Sequence, residues 1–213
     1  MTSNYEPKQT SEAMPKLVAV LTVLAFSGLA AIADDNADCA NLNTSADQSI
    51  VACTIVILGN ARAAWAYAAR GRAHLNKDDK DRAIADFTKV LEIDPNNTFA
   101  YSARAIAYIN KGDNDRAIAD YTKAIELNPK LAMTYSNRAS AYALKGDYDQ
   151  AIADANKAIE IDSKLANAYN TRAVAYEKKG DLDRAIPDYR RASELDANDQ
   201  FSADALRRLG ASP

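Results

Sequence analysis

The side chains able to do chemistry are few and regularly spaced. His74 is the only imidazole, and two cysteines, Cys39 and Cys53, stand fourteen residues apart. An imidazole can move protons or hold a metal near neutral pH, and paired thiols can bridge or ligate. No Cys, His or carboxylate grouping with ligand spacing surrounds His74, so no catalytic residue, metal or cofactor is expected. A larger set consists of four arginines, each followed sixteen residues later by an aspartate: Arg70 and Asp86, Arg104 and Asp120, Arg138 and Asp154, Arg172 and Asp188. A guanidinium and a carboxylate at constant separation form ion pairs. These are expected to bridge the two helices of one hairpin, or one hairpin to the next, as a structural ladder and not a ligand site. If exposed, each pair contributes only about 0–1 kcal/mol, so its value lies in register more than in stability.

A repeat positions these residues. Segments beginning at Asp81, Asp115, Asp149 and Asp183 read DRAIADFTKVLEIDP, DRAIADYTKAIELNP, DQAIADANKAIEIDS and DRAIPDYRRASELDA, spaced 34 residues apart. Upstream, Tyr67, Tyr101, Tyr135 and Tyr169 keep the same register, followed by the four arginines and then by His74, Tyr108, Tyr142 and Tyr176. His74 therefore takes the place of a packing Tyr, and a packing role is expected for it. Each unit reads as helix, turn, helix. Gly112, Gly146 and Gly180 end the first helix at equivalent positions, with Asp78 in that place in the first unit. Asp81, Asp115, Asp149 and Asp183 are expected to cap the second helix, and Pro95 and Pro129 close the first two units. Pro187, counted from Asp183, falls at the fourth helical position, where a lost bond or slight bend is expected.

Composition agrees with helices and excludes several function classes. Of 213 residues, 48% are hydrophobic and 26% charged, with only 7 Gly and 6 Pro against 11 Tyr. A net charge of −3 offers no basic field to a phosphate backbone, which makes nucleic acid a poor partner. Residues 17–33, LVAVLTVLAFSGLAAIA, carry no charge, follow Lys16 and precede Asp34, Asp35 and Asp38. This is the layout of an export signal, with Ala31 and Ala33 marking a cleavage site after Ala33. An uncleaved membrane anchor is the alternative, since seventeen residues lie at the short limit for a span. The segment 14–33 is read as the signal, and residues 1–13 as a flexible leader or a start-site artefact if translation begins at Met14. In an exported chain Cys39 and Cys53 are expected to form a disulfide. Ala37 and Asp38 before Cys39 are unlike the small apolar run of a lipidation signal.

The 34-residue unit, with small residues at its eighth, twentieth and twenty-seventh positions, resembles the tetratricopeptide repeat (TPR) family. Those positions are Gly71, Ala83 and Val90, then Ala105, Ala117 and Ala124, Ala139, Ala151 and Ala158, and finally Ala173, Ala185 and Ala192. Pro95 and Pro129 match the family's proline near position thirty-two, while Ser163 and Ala197 replace it. The resemblance implies an all-α, right-handed α-solenoid of helix-turn-helix hairpins, with units at 64–97, 98–131, 132–165 and 166–199. Residues 34–63 fit as a degenerate half-repeat at the N-terminal end, in which Cys53 takes the place of Phe87 and a Cys39–Cys53 bridge pins the two arms. Residues 200–213 form a C-terminal cap and tail, its apolar stripe made of Phe201, Ala205, Leu206 and Leu209.

The resemblance also implies a ligand groove lined by first helices. Its candidate contacts are Trp65, Arg72, Phe99, Ser102, Ile106, Met133, Asn137 and Asn170. Trp65, Phe99 and Met133 recur at the period and could form an apolar shelf at the N-terminal end, or pack against the preceding unit. Asn137 and Asn170 could hydrogen-bond an extended backbone. Ala68 and Arg72 do not match the lysine and asparagine with which chaperone-binding relatives clamp a C-terminal carboxylate, which disfavours that partner class. The function implied is a non-catalytic exported scaffold, periplasmic by resemblance to small exported bacterial repeat proteins, binding a protein or peptide of unknown identity. The alternative is an envelope tether that keeps residues 17–33 and meets the membrane through them.

Overall fold

The computed structural model describes residues 36–41 and 43–211; the segment read as leader and signal lies outside the described residues. After a helical stretch at 36–40 come ten helices: α1 (Ala46–Gly59), α2 (Ala64–Asn76), α3 (Lys80–Ile93), α4 (Thr98–Asn110), α5 (Asn114–Leu127), α6 (Ala132–Lys145), α7 (Tyr148–Ile161), α8 (Ala166–Lys178), α9 (Leu182–Leu195) and α10 (Gln200–Arg208). There is no strand among the described residues. Each first helix (α2, α4, α6, α8) packs on the second helix of its own unit and on that of the unit before, so the core runs as a continuous seam along the array.

Small side chains at the helix crossings let the layers close. Ala83, Ala117, Ala151 and Ala185 are fully buried, as are Ala124, Ala158 and Ala192. Large residues fill the space between them, chiefly Phe87, Tyr121, Tyr189 and Leu206. In the first unit a Cβ on Gly71 would come within 3.0 Å of the Phe87 ring, which explains glycine where the other units carry alanine.

The turn chemistry differs from expectation by two residues. Asp78, Gly112, Gly146 and Gly180 all have positive φ, as expected for the end of a first helix. The N-cap follows immediately: Asp79, Asp113, Asp147 and Asp181, and not Asp81, Asp115, Asp149 and Asp183, accept the backbone N–H three residues ahead. The left-handed residue reverses the chain so sharply that the next helix starts at once. The other four aspartates sit in the first turn, near the positive end of the helix. Three of them, with Asp47 of α1, accept an ion pair from the following unit: Lys77 to Asp47, Lys111 to Asp81, Lys145 to Asp115 and Lys179 to Asp149. With the cap at Asp181, Pro187 moves to the sixth helical position. α9 nevertheless runs to Leu195 with Pro187 exposed inside it, where the missing N–H leaves the Asp183 carbonyl without its helical partner.

The leading half-unit keeps the lattice. α1 starts and ends 34 residues before α3, and Ser45 caps it with a reciprocal bond from Gln48, one period before Asp79. Cys39, on the helical stretch, and Cys53, on α1, are joined by a disulfide with their Cα atoms 4.7 Å apart. Both are buried, in a cluster with Ala52, Ile57, Ala66 and Ala69. At the other end α10 lies in register with the first helices. Leu206 occupies the place of the lattice arginines and is fully buried.

Candidate functional site

The four arginine–aspartate pairs form, each closed by two hydrogen bonds. Nε and Nη2 of Arg70, Arg104, Arg138 and Arg172 donate to both carboxylate oxygens of Asp86, Asp120, Asp154 and Asp188 at 2.7–2.9 Å. The partners lie on the two helices of one hairpin. Nη1 reaches back to the preceding unit, where Thr54, Thr88 and Thr122 accept it at 2.9–3.0 Å and Asn156 takes the threonine's role for Arg172. Each guanidinium also lies 5.5–5.8 Å from the ring of Tyr67, Tyr101, Tyr135 or Tyr169, three residues before it. The aspartate side chains are only 7–10% exposed. The pairs are therefore interior joints and not the exposed pairs first weighed. Bonds to the carboxylates raise the arginine pKa values further.

His74 is buried where the other units have Tyr, 3.8 Å from Asp79 and 3.9 Å from Asp86, too far for hydrogen bonds. Burial pushes its pKa below the ordinary histidine value, against the pull of Asp86 and Asp79 and with a push from Arg70 and Arg82. A folded value below the unfolded one stabilises the fold above the unfolded value and loses that contribution as pH falls through the folded value. Thermal melts at pH 7.5 and 5.5 are expected to show a larger loss for the wild type than for His74→Tyr; an equal loss would contradict this assignment. Burial also raises the pKa of Tyr121 and Tyr189 above the ordinary phenol value.

The first helices present a row of apolar side chains to solvent. Trp65 on α2, Phe99 on α4 and Met133 on α6 are each about half exposed, one period apart, with Ile106 exposed between them. Phe99 rests edge-on against Phe87 at 6.3 Å, so it packs on the preceding unit with one edge and remains open on the other. Phe201 on α10 repeats this geometry three periods later, edge-on to Tyr189 at 6.1 Å and more than half exposed. Of the apolar cap stripe, Ala205 and Leu206 are buried, whereas Phe201 is open to solvent. Beside it, Leu144, Tyr148, Val174 and Lys178 line a cleft of about 450 Å³. A second apolar patch thus stands at the C-terminal end, parted from the N-terminal shelf by Asn167 at the intervening period position, and the spacing of Phe201 from Phe99 was the available signal.

The polar candidates divide. Arg72 lines a cleft of about 230 Å³ between the leading half-unit and α2. The hydroxyls of Ser102 and Thr134 lie 3.5 Å apart, joining α4 to α6. Asn137 is half-buried on α6 and has no side-chain hydrogen bond among the described residues. Asn170 is not available to a ligand backbone: its amide donates to Asp199 at 2.6 Å and its carbonyl accepts from Ser202, both belonging to the cap. Glu177 is likewise committed, paired with both Nη atoms of Arg208 and accepting from Tyr189. Ser136, equivalent to Ser102 and Asn170, is buried with its hydroxyl unpaired, because Ala168 stands where Thr134 and Ser202 supply partners.

Comparison with known proteins follows from this geometry. A search of curated proteins finds no match. Among solved structures, MamA is 26% identical with a TM-score of 0.66, over 71% of this chain and 89% of its own. The first TPR of Spaghetti (RPAP3), solved bound to the HSP90 peptide SRMEEVD, is 29% identical with a TM-score of 0.52, over 53% of this chain and 90% of its own. YrrB, described as a TPR protein with an unusual peptide-binding site, has a TM-score of 0.69 over 92% of this chain and 98% of its own; at 18% identity it speaks for the fold alone. The family model described as ETO1 C-terminal domain matches residues 25–211. With its 34-residue hairpins and inter-unit joints, the chain is a TPR protein and belongs to the ETO1 C-terminal domain family.

Proposed function

We propose that this protein is a non-catalytic, exported scaffold that binds a protein segment or peptide along the face of its first helices. The observation that carries the reading is the open apolar row of Trp65, Phe99 and Met133, held at one-period intervals, with Phe201 two periods further on beyond Asn167. Half-exposed aromatic and Met side chains on a preformed frame are effective anchors, since little entropy is lost when a partner covers them. A peptide-bound TPR among the structural relatives supports the same mode of use. The uncharged segment 17–33 and the Cys39–Cys53 bridge support export, with a periplasm as the compartment.

The test is in vivo crosslinking of the wild type against a Trp65→Ala, Phe99→Ala, Met133→Ala variant. Three surface-anchor losses are expected to lower partner capture by more than about tenfold while leaving the helical signal unchanged. Equal capture by the variant would remove the groove from the account.

A further inference from the structure

Two neighbouring residues of the third unit break the lattice, and both line one cleft. At the twelfth position of the repeat, Leu75 and Ile109 pack onto the cores that join the first unit to the second and the second to the third. Ala143 stands there in the third unit, and its single methyl group leaves that room open. One residue on, where the first two units carry Asn76 and Asn110, the third carries Leu144, which is 64% exposed. The result is the cleft of about 450 Å³ between α6 and α8, lined by Ala143, Leu144, Tyr148 and Val174 together with Phe201 of the cap.

Its polar groups fall into two sets. The first already has partners: the hydroxyls of Ser140 and Thr171 lie 2.9 Å apart, and Asn170 is bonded to Asp199 and Ser202. A polar group pressed against them would lose its water and gain no hydrogen bond, so the volume suits an apolar side chain. The second set is Lys178 and Tyr148, neither of which has a side-chain hydrogen bond or salt bridge among the described residues. The carboxylates closest to them along the chain are taken. Glu177 is held by Arg208 and Tyr189, Asp149 by Lys179, and Asp147 caps α7. No carboxylate lines the cleft, so in a chain of net charge −3 this is a local site of positive sign.

We propose that this cleft docks an acidic amphipathic peptide segment, which places one aliphatic or aromatic side chain beside Leu144, Val174 and Phe201 and sets an aspartate or glutamate against Lys178. The apolar contact supplies the anchor, and the unpaired ammonium selects acidic over basic segments. The inference rests on the reading of the first-helix face as a protein-binding surface and adds the chemistry of the occupant at its C-terminal end. Asn167 separates this site from the shelf of Trp65, Phe99 and Met133, so the two can be tested apart.

The experiment selects phage-displayed random twelve-residue peptides on the immobilised full chain and measures the recovered peptides by fluorescence anisotropy. Ala143→Leu and Leu144→Asn give the third unit the residues of the first, and Lys178→Gln removes one exposed charge, so all three variants are expected to keep the helical signal. Recovered peptides are expected to carry an apolar residue close to an Asp or Glu, and to bind Ala143→Leu and Leu144→Asn at least about tenfold more weakly than the wild type. Binding to Lys178→Gln is expected to be about threefold weaker at low salt, as for an exposed ion pair, with the difference lost in about 0.5 M sodium chloride. Methyl resonances of Leu144 and Val174 should shift on peptide addition while that of Met133 stays. Equal binding to the wild type and Ala143→Leu, cleft-dependent peptides that are basic or carry no acidic residue, or a dimer that shields Leu144 before peptide is added would each overturn the proposal. Peptides lost only on the Trp65→Ala, Phe99→Ala, Met133→Ala variant would also overturn it, and would leave the scaffold reading standing. Recovery of no peptide would overturn it too, while crosslinking from Phe99 and Met133 still decides the scaffold reading.

Discussion

Asp120→Ala is expected to destabilise the array by about 3–5 kcal/mol, several times the cost of removing an exposed pair. The aspartate holds both forks of Arg104 at 2.8 Å, and its side chain is only 10% exposed. Deleting it leaves a guanidinium anchored between two helices, still stacked near Tyr101 and bonded to Thr88, with no counter-charge. The double substitution Arg104→Leu, Asp120→Leu is expected to recover most of the loss, since the desolvation of both charges disappears with them. The cap already contains half of that experiment: Leu206 stands fully buried at the arginine position. Urea denaturation followed by circular dichroism is the measurement. Because Asp120 lies mid-array, the single variant is also expected to show a lower apparent m-value as the two halves uncouple. A loss below about 1 kcal/mol would return the ladder to the class of surface pairs.

Reducing the Cys39–Cys53 bridge is expected to release the leading half-unit by about 3 kcal/mol, the chain-entropy value for a loop of this length. A terminal unit has one neighbour in place of two, so the loss appears there and not across the array. Amide exchange in α1 is expected to speed up by about 100-fold on reduction, with α5 and α7 unchanged. Cys53→Ser should behave likewise, with the hydroxyl buried where Phe87 and Tyr121 stand in later units. Unchanged protection in α1 would show that packing against α2 suffices without the bridge.

The fold was legible because the repeat averages over local ambiguity: four copies of one pattern make each helix boundary consistent with the next. Ambiguity survived where two equivalent residues competed in every copy. Each unit carries Asp at both the true cap and the position two residues on, and only the length of the left-handed turn decides between them. That choice propagated to Pro187, whose helical position shifted by the same two residues.

Site residues were legible by position but not by what their neighbours do with them. Asn170 occupies a groove position, yet α10 folds onto it, and nothing local to Asn170 announces the Asp199 and Ser202 contacts. Phe201 appeared to belong to the cap stripe because a short amphipathic helix was read by itself; its equivalence to Phe99 emerges only when α10 is placed in the lattice. The lysine–aspartate joints between units and the cleft at Ala143 and Leu144 were both written in the period, the first as a constant thirty-residue offset and the second as a departure from it.

Site-specific photocrosslinking in living cells tests the scaffold most directly. A photoreactive phenylalanine analogue is placed at Phe99, Met133 and Phe201 on the first helices, and at Lys89 and Lys123 on the outer face of the second. The account predicts a discrete protein adduct from the first three positions and none from the last two. Adducts of equal yield from both faces, or from the outer face alone, would contradict it.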